Sequence, residues 1–295
     1  MNFSQAFRYP FQNLAKVLSI VLVLSIAFAV FIGLVLNSYD WSPLLEQVNN
    51  WDHSEDLIHN EDVIVEHEAM GAAPLIGGLG LVVVAVISGF WISGYSVEVI
   101  RSIWNDGELM PDIDFGRNLK DGFYLFLSSV AYWILFIVLV AAELVVIQAT
   151  GSLGAIQALL VIAGIAATVI ALAVMGWAYF VGMARFAVEG DHRAAYQIRR
   201  NIRIARENWT KGAKLMVYMI LLSIIYGAIR SVVDGVFGGV FGGGVGMLGI
   251  TLSIVTYYIF NLMQHFSTQH MIAQYAVQVG IGDGYDPDKD KVDFA

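Results

Sequence analysis

The residues best suited to chemistry in this chain gather in a few segments. Asn37 to Met70 holds three histidines among nine acids, as Asp52-His53, His59-Asn60-Glu61-Asp62 and Glu66-His67-Glu68. Imidazole with carboxylate suits zinc, and carboxylate alone suits calcium. His53, His59 and His67 are therefore the candidate metal ligands. No two of them stand four apart, the spacing that puts two side chains on one helical face. A solvated acidic loop, or a patch meeting a basic partner, accounts for the same residues. A second segment is basic. From Gly190-Asp191 the chain reads as a helix over about 191–209, with Asp191 as its cap. Ile198, Ile202, Ala205 and Trp209 recur at steps of four, three and four and form an apolar stripe. Arg199, Arg200, Arg203 and Arg206 fall mainly beside or opposite it. With Arg193 and Trp209 they make the candidate surface for anionic lipid or a protein partner. An ordinary topology anchor is the plainer reading of the same charges.

The third segment, Gly235 to Gly249, holds eight glycines in 15 residues. Gly235 with Gly239, and Gly242 with Gly246, stand four apart, which lets helix backbones approach. The same density also weakens a helix. A packing face, a turn and a glycine-lined gate are the alternatives. No strand-then-helix context or Lys-Ser/Thr end marks it as a phosphate loop. Scattered polar residues interrupt apolar runs: Glu98 and Arg101, Glu143 near Gln148 and Gln157, Arg230 and Asp234, and Asn261, Gln264 and His265 with Gln269 and His270 beyond. Glu98 with Arg101, and Arg230 with Asp234, are spaced to pair. His265 and His270 point roughly 140° apart on a helix and cannot share one metal; they read as interfacial histidines. The tail over 280–295 has alternating acids, but Lys291 stands where a calcium loop needs glycine. No Ser-His-Asp, paired-carboxylate or His-Glu-x-x-His arrangement appears. The reading is non-catalytic, with no cofactor.

The elements that must position these residues follow from composition. Of 295 residues, 58% are apolar and 14% charged, against roughly 45–50% and about 25% in soluble domains. Mean hydropathy is +0.68. That points to a membrane protein. The absence of cysteine excludes disulfides and thiol chemistry, and a net charge of -9 argues against nucleic acid. Six apolar runs approach the roughly 20 residues that span a bilayer: about 17–36, 72–93, 122–147, 155–184, 213–233 and 247–265. With the N-terminus inside, 15 of 16 Lys and Arg fall inside, with Arg230 the exception. The acidic 37–70 segment is then outside, and its nine acids equal the whole net charge. The expectation is an all-α, six-span protein of a prokaryotic cytoplasmic membrane, with both termini cytoplasmic. A transmembrane domain covers 1–270, with the basic interfacial helix inside it, and an acidic tail covers 271–295.

Three segments before odd-numbered spans look alike: Asn13-Leu14-Ala15-Lys16, Asn118-Leu119-Lys120-Asp121-Gly122 and Asn208-Trp209-Thr210-Lys211-Gly212. They suggest three helical hairpins of one plan. In the fourth span Ala163, Ala167 and Ala171 make a small-residue packing face. A more specific pattern runs through Gly94-Tyr95-Ser96-Val97-Glu98-Val99-Ile100-Arg101, Asn105-Asp106-Gly107-Glu108-Leu109-Met110-Pro111 and Lys120-Asp121-Gly122. It resembles an uncharacterised family of polytopic membrane proteins of bacteria and archaea, the domain of unknown function numbered 4013. In that family a Gly-Tyr ends a span, a basic residue and a Leu-Pro follow, and an Asp-Gly opens the next. Here Met110-Pro111 replaces Leu-Pro, and the aromatic often found shortly after that proline is absent unless Phe115 serves. The resemblance implies an integral, all-helical membrane protein and no particular activity. The combined reading is a scaffold or accessory subunit acting through membrane lipids, anionic ones among them, a membrane protein partner or its own copies. The alternative is a transporter or channel for a small or apolar substrate.

Overall fold

In the computed structural model of this chain, the described residues are 1–36, 72–105, 107, 109–150, 154–240 and 247–282. Among them every regular element is an α-helix. In chain order these are α1 (Phe3–Gln12), α2 (Leu14–Leu36), α3 (Ala72–Trp104), α4 (Phe115–Ala149), α5 (Ala155–Glu189), α6 (Arg193–Tyr196), α7 (Ile198–Glu207), α8 (Trp209–Val240) and α9 (Met247–Val279). Local residues set the boundaries. Asn2 caps α1 by accepting from the Gln5 N–H at 3.2 Å, and Asp114 caps α4 by accepting from the Arg117 N–H at 3.0 Å. Gly190 ends α5 at φ 71°, a conformation that favours glycine.

Among the described residues, five stretches are long and apolar enough to cross a membrane by length and composition: Leu14–Leu34, Ile76–Trp104, Phe115–Ala149, Gln157–Glu189 and Trp209–Val236. The sequence reading expected six. The sixth expected run, about 247–265, begins in residues 247–254 of α9, whose side chains lie outside the described residues; the described part of α9 does not join the five. Its second half carries Gln264, His265, Ser267, Thr268, Gln269, His270, Gln274 and Gln278. The five do look like lipid-facing helices. The most apolar window of α5 has none of its residues buried, and that of α4 only 6%. Ile134, Ile137, Val138, Ile162, Ile165 and Ile170 are all exposed. At roughly 25 cal/mol per Å² such surface is costly in water. Against lipid tails, as apolar as the side chains themselves, it costs nothing.

Two compact units divide the chain. One, 20–88, joins the rest of α2 to the start of α3. Within it the Phe31 ring lies over Gly80, where a Cβ would fall 2.1 Å from the ring. The other, 1–19 with 89–295, holds the functional candidates. Its core lies at the ends of the helices rather than midway along them. Tyr95, Val97, Val99 and Ile100 of α3, Ala178 to Ala187 of α5 and Phe266 to Ala276 of α9 supply about half of its buried apolar residues. That packing carries α3, α5 and α9 well past their apolar runs. Within this unit α9 packs on α8 and α1, and α5 packs on α4, α6 and α7.

Two expectations about elements change. Instead of one helix over about 191–209, the chain forms α6 and α7, broken at Gln197, where ψ is 63°. Asp191 still caps locally, its Oδ1 accepting from the Arg193 N–H at 2.9 Å. Trp209 is not on the α7 stripe; Asn208 turns the chain first, and Trp209 begins α8, exposed. In α5, Ala163 and Ala167 face outward, while Gly164 and Thr168 approach Glu143 of α4.

Candidate functional site

The first site residues come from the Gly94–Gly122 region. A Cβ on Gly94 would lie 1.6 Å from the Asn118 carbonyl oxygen, and one on Gly122 would lie 1.7 Å from that of Phe90. The two glycines therefore put the α3 and α4 backbones in direct contact, which no other residue type permits. Around that crossing the charges interlock. Arg101 donates to Glu98 and, through Nε, to the Ala187 carbonyl at 2.9 Å. Its Nη2 lies 3.7 Å from Asp121, and Arg117 reaches Glu98 at 2.8 Å. The Tyr95 hydroxyl donates to the Pro111 carbonyl at 2.9 Å. Lys16 Nζ donates to the Met110 and Pro111 carbonyls, each at 2.8 Å, and Asn13 Oδ1 accepts from the Met110 N–H at 2.9 Å. Phe115 stacks on Trp91 with ring centroids 6.4 Å apart. Of the residues that carried the family resemblance, Gly94, Tyr95, Glu98, Arg101, Met110, Pro111, Asp121 and Gly122 meet here in one knot of α3, α4 and the loop between them, while Asp106 and Glu108 lie outside the described residues.

The basic segment is held by a buried charge. Arg185 is 1% exposed, the largest fully buried side chain among the described residues. Its guanidinium donates to both oxygens of Glu189 (2.8 and 3.1 Å), to Asn201 Oδ1 at 2.9 Å and to Gln197 Oε1 at 3.0 Å. Asn201, also fully buried, donates onward to the Tyr132 hydroxyl at 3.0 Å and the Ala194 carbonyl at 3.1 Å. Tyr132 donates to the Ala178 carbonyl at 3.2 Å. One chain of hydrogen bonds thus ties α4, α5, α6 and α7 together. Gly182 leaves room for it, since a Cβ there would lie 2.7 Å from Asn201 Nδ2. Burying a guanidinium is expensive unless it is paired and hydrogen-bonded; here both conditions hold. The clamp fixes the Arg-rich faces. Arg193, Arg199 and Arg206 are exposed and Arg200 and Arg203 half-buried.

Helices α1 and α9 form a third cluster. His265 Nε2 lies 2.6 Å from Ser96 Oγ, and the Tyr9 ring packs against His270 at 4.9 Å. Both histidines pack against protein. The Asn2 N–H donates to Gln274 Oε1, which fixes the orientation of that amide. Gln274 Nε2 therefore donates to His270 Nδ1 at 2.9 Å, leaving the proton of neutral His270 on Nε2. Burial lowers the His270 pKa to about 4.

A groove of about 380 Å³ lies between α4 and α5, lined by Tyr132, Trp133, Phe136, Leu172, Met175 and Tyr179 with Gly176 between them. The two ion pairs expected from spacing, Glu98–Arg101 and Arg230–Asp234, both form. Glu143 pairs with neither glutamine near it in sequence; it accepts from the Thr168 hydroxyl. Gly235 and Gly239 fall on α8, and a Cβ at Gly235 would meet nothing within 4 Å. Gly242 and Gly246 lie outside the described residues, as do His53, His59 and His67. Among the described residues no group of three or more His, Cys, Asp or Glu could hold a metal ion. Sequence reasoning missed Arg185, Gln197, Asn201 and Tyr132. The available signal was Asn201, a polar residue set among Ile198, Ile202 and Ala205.

A family model described as "Protein of unknown function (DUF4013)" matches residues 78–233, more than half of the chain. The match includes both the Gly94–Gly122 knot and the Arg185 clamp. No curated protein matches the chain, and no solved structure does.

Proposed function

The chain belongs to the DUF4013 family of proteins of unknown function, and we propose that it is a non-catalytic scaffold or accessory subunit of a prokaryotic cytoplasmic membrane. In this reading the run of about 247–265 at the start of α9 is the sixth span, both termini are cytoplasmic, and the working surface is the basic face of α6 and α7. One observation carries the reading: the Arg185–Asn201 clamp fixes α6 and α7 to α5, beside five arginines with no acid between His192 and Arg206. A topology anchor needs only charge. A recognition surface needs charge in a fixed place, and a buried, fully bonded arginine supplies that. The partner is an anionic lipid surface or an acidic protein.

The test is reversal of the charges. Arg199, Arg200, Arg203 and Arg206 are replaced together by Glu, leaving Arg185 intact. Each basic residue near an anionic leaflet is worth about 1 kcal/mol, so capture of anionic vesicles or of a co-purifying protein should fall by at least about a hundredfold while the protein still inserts. Unchanged capture would sink the proposal.

A further inference from the structure

We infer that the groove between α4 and α5 holds one anionic phospholipid, its acyl chain along the groove and its phosphate toward the arginines of α6 and α7. This rests on the reading of that basic face given above. The first support is Gly176. A Cβ there would meet nothing within 4 Å, and its backbone does not lie at positive φ. Neither helix packing nor backbone conformation asks for glycine at this position, and glycine weakens a helix. A side chain at this position would occupy the groove.

The second support is the order of chemistry along the groove. Phe136 and Leu172 line the end away from α6 and α7. Tyr132 and Tyr179 line the other end, and the Tyr132 hydroxyl is bonded to Asn201 of α7, the residue after Arg200. An apolar groove that ends at tyrosines, one of them bonded to the arginine-bearing helix α7, has the same order as an acyl chain, a glycerol ester and a phosphate. The groove, about 380 Å³, falls within the roughly 300–1,000 Å³ of small-molecule sites. Two residues of its own lining, Trp133 and Leu172, are exposed on helices long and apolar enough to cross a membrane. An occupant therefore comes from hydrocarbon and not from water. The charge beyond it selects an anionic headgroup.

The full chain in lipid nanodiscs provides the test, with photoactivatable phosphatidylglycerol and phosphatidylcholine that carry the same reactive acyl chain. The phosphatidylglycerol probe should label Trp133, Phe136, Leu172 and Met175 about tenfold more than the phosphatidylcholine probe, a difference of about 1.4 kcal/mol. Gly176→Leu should abolish that labelling, and Leu172→Trp, which fills the groove from the other side, serves if the first variant fails to fold. Equal labelling by the two probes, or labelling of exposed Val145 and Ile162 as strong as that of the groove, would overturn the inference. The charge-reversal experiment separates the two failures. Vesicle capture lost on arginine reversal, with groove labelling blind to headgroup, removes the groove site and leaves the basic surface standing. Vesicle capture that survives arginine reversal removes the basic surface itself.

Discussion

Arg185 stands among Ala178, Val181, Ala184 and Ala187, all of them buried. Counted along the sequence it is one more cation near a span end. In the fold it is a buried charge whose partners come from its own helix at Glu189 and from Gln197 and Asn201 beyond it. Removing one partner of such a set leaves the rest uncompensated, at about 3–5 kcal/mol. Arg185→Met should therefore destabilise the protein by that amount and free α6 and α7 to proteolysis. Arg185→Lys should rescue little, since an ammonium cannot reproduce the forked contact with Glu189. Thermal unfolding in detergent, with cleavage mapped at Arg193 to Arg206, would decide this; a native melting point for Arg185→Met would refute it. His270 makes a prediction in pH. Its folded pKa is lowered to about 4, against roughly 6.5 unfolded. The fold holds the neutral form, so the stabilisation is complete above pH 6.5 and is lost as pH falls toward 4. Docking of α1 on α9 should loosen over that window. His270→Phe should flatten the pH dependence, measured as protease access to Phe3–Gln12; an unchanged profile would assign the loosening to other groups.

Between residues and fold, the repeated Asn-to-Gly segments acquire physical reasons. Asn13 and Asn208 occupy almost the same backbone conformation, φ -111° and ψ 25° against φ -112° and ψ 30°. Each joins a ten-residue helix to a long one, and each side chain donates back to the carbonyl four residues earlier, Tyr9 or Ile204. Three residues on, Lys16 and Lys211 reach across to distant carbonyls, those of Met110 and Pro111 and that of Gln278. Gly122 and Gly212, each four residues after an asparagine, receive the preceding span: Gly122 meets the α3 backbone, and Gly212 lies under the Trp177 ring of α5. Alanine substitution should rank three glycines. Gly122→Ala strikes a backbone carbonyl that cannot yield and should cost about 3 kcal/mol or more. Gly212→Ala strikes a ring that can tilt and should cost about 1–2 kcal/mol. Gly176→Ala meets open space and should stabilise α5 by up to about 1 kcal/mol. Melting points in one detergent test the ranking, and a harmless Gly122→Ala would disprove the backbone crossing.

For the whole molecule, the prediction concerns which segments face which side. The chain has no cysteine, so single cysteines can be read without background. If α9 completes six spans, Asp191→Cys and Val292→Cys should react with an impermeant maleimide only after the membrane is opened, and Ser54→Cys should react in intact cells. A five-span chain would instead place Asp191 and Val292 on opposite sides. The experiment decides whether the polar half of α9 ends at the cytoplasmic surface or continues beside it.

How much was legible beforehand differs by the physics involved. The all-helical class and five of the long helices were readable directly, because bilayer thickness demands an uninterrupted apolar run and that demand is local in sequence. The i, i+3 and i, i+4 ion pairs of Glu98 with Arg101 and Asp234 with Arg230 were readable for the same reason. The family resemblance was legible as a pattern from Gly94 to Gly122, but its cause was not, since backbone contact between α3 and α4 joins residues far apart in the chain. Local spacing misplaced Trp209, Ala163 and Ala167, because it reports the phase of a helix and not where the helix breaks or what packs on it. Arg185, Asn201 and Tyr132 became one site only in the tertiary structure. A buried charge is tolerable only where several elements deliver partners together, and that condition is met by the fold, not by any single stretch of sequence.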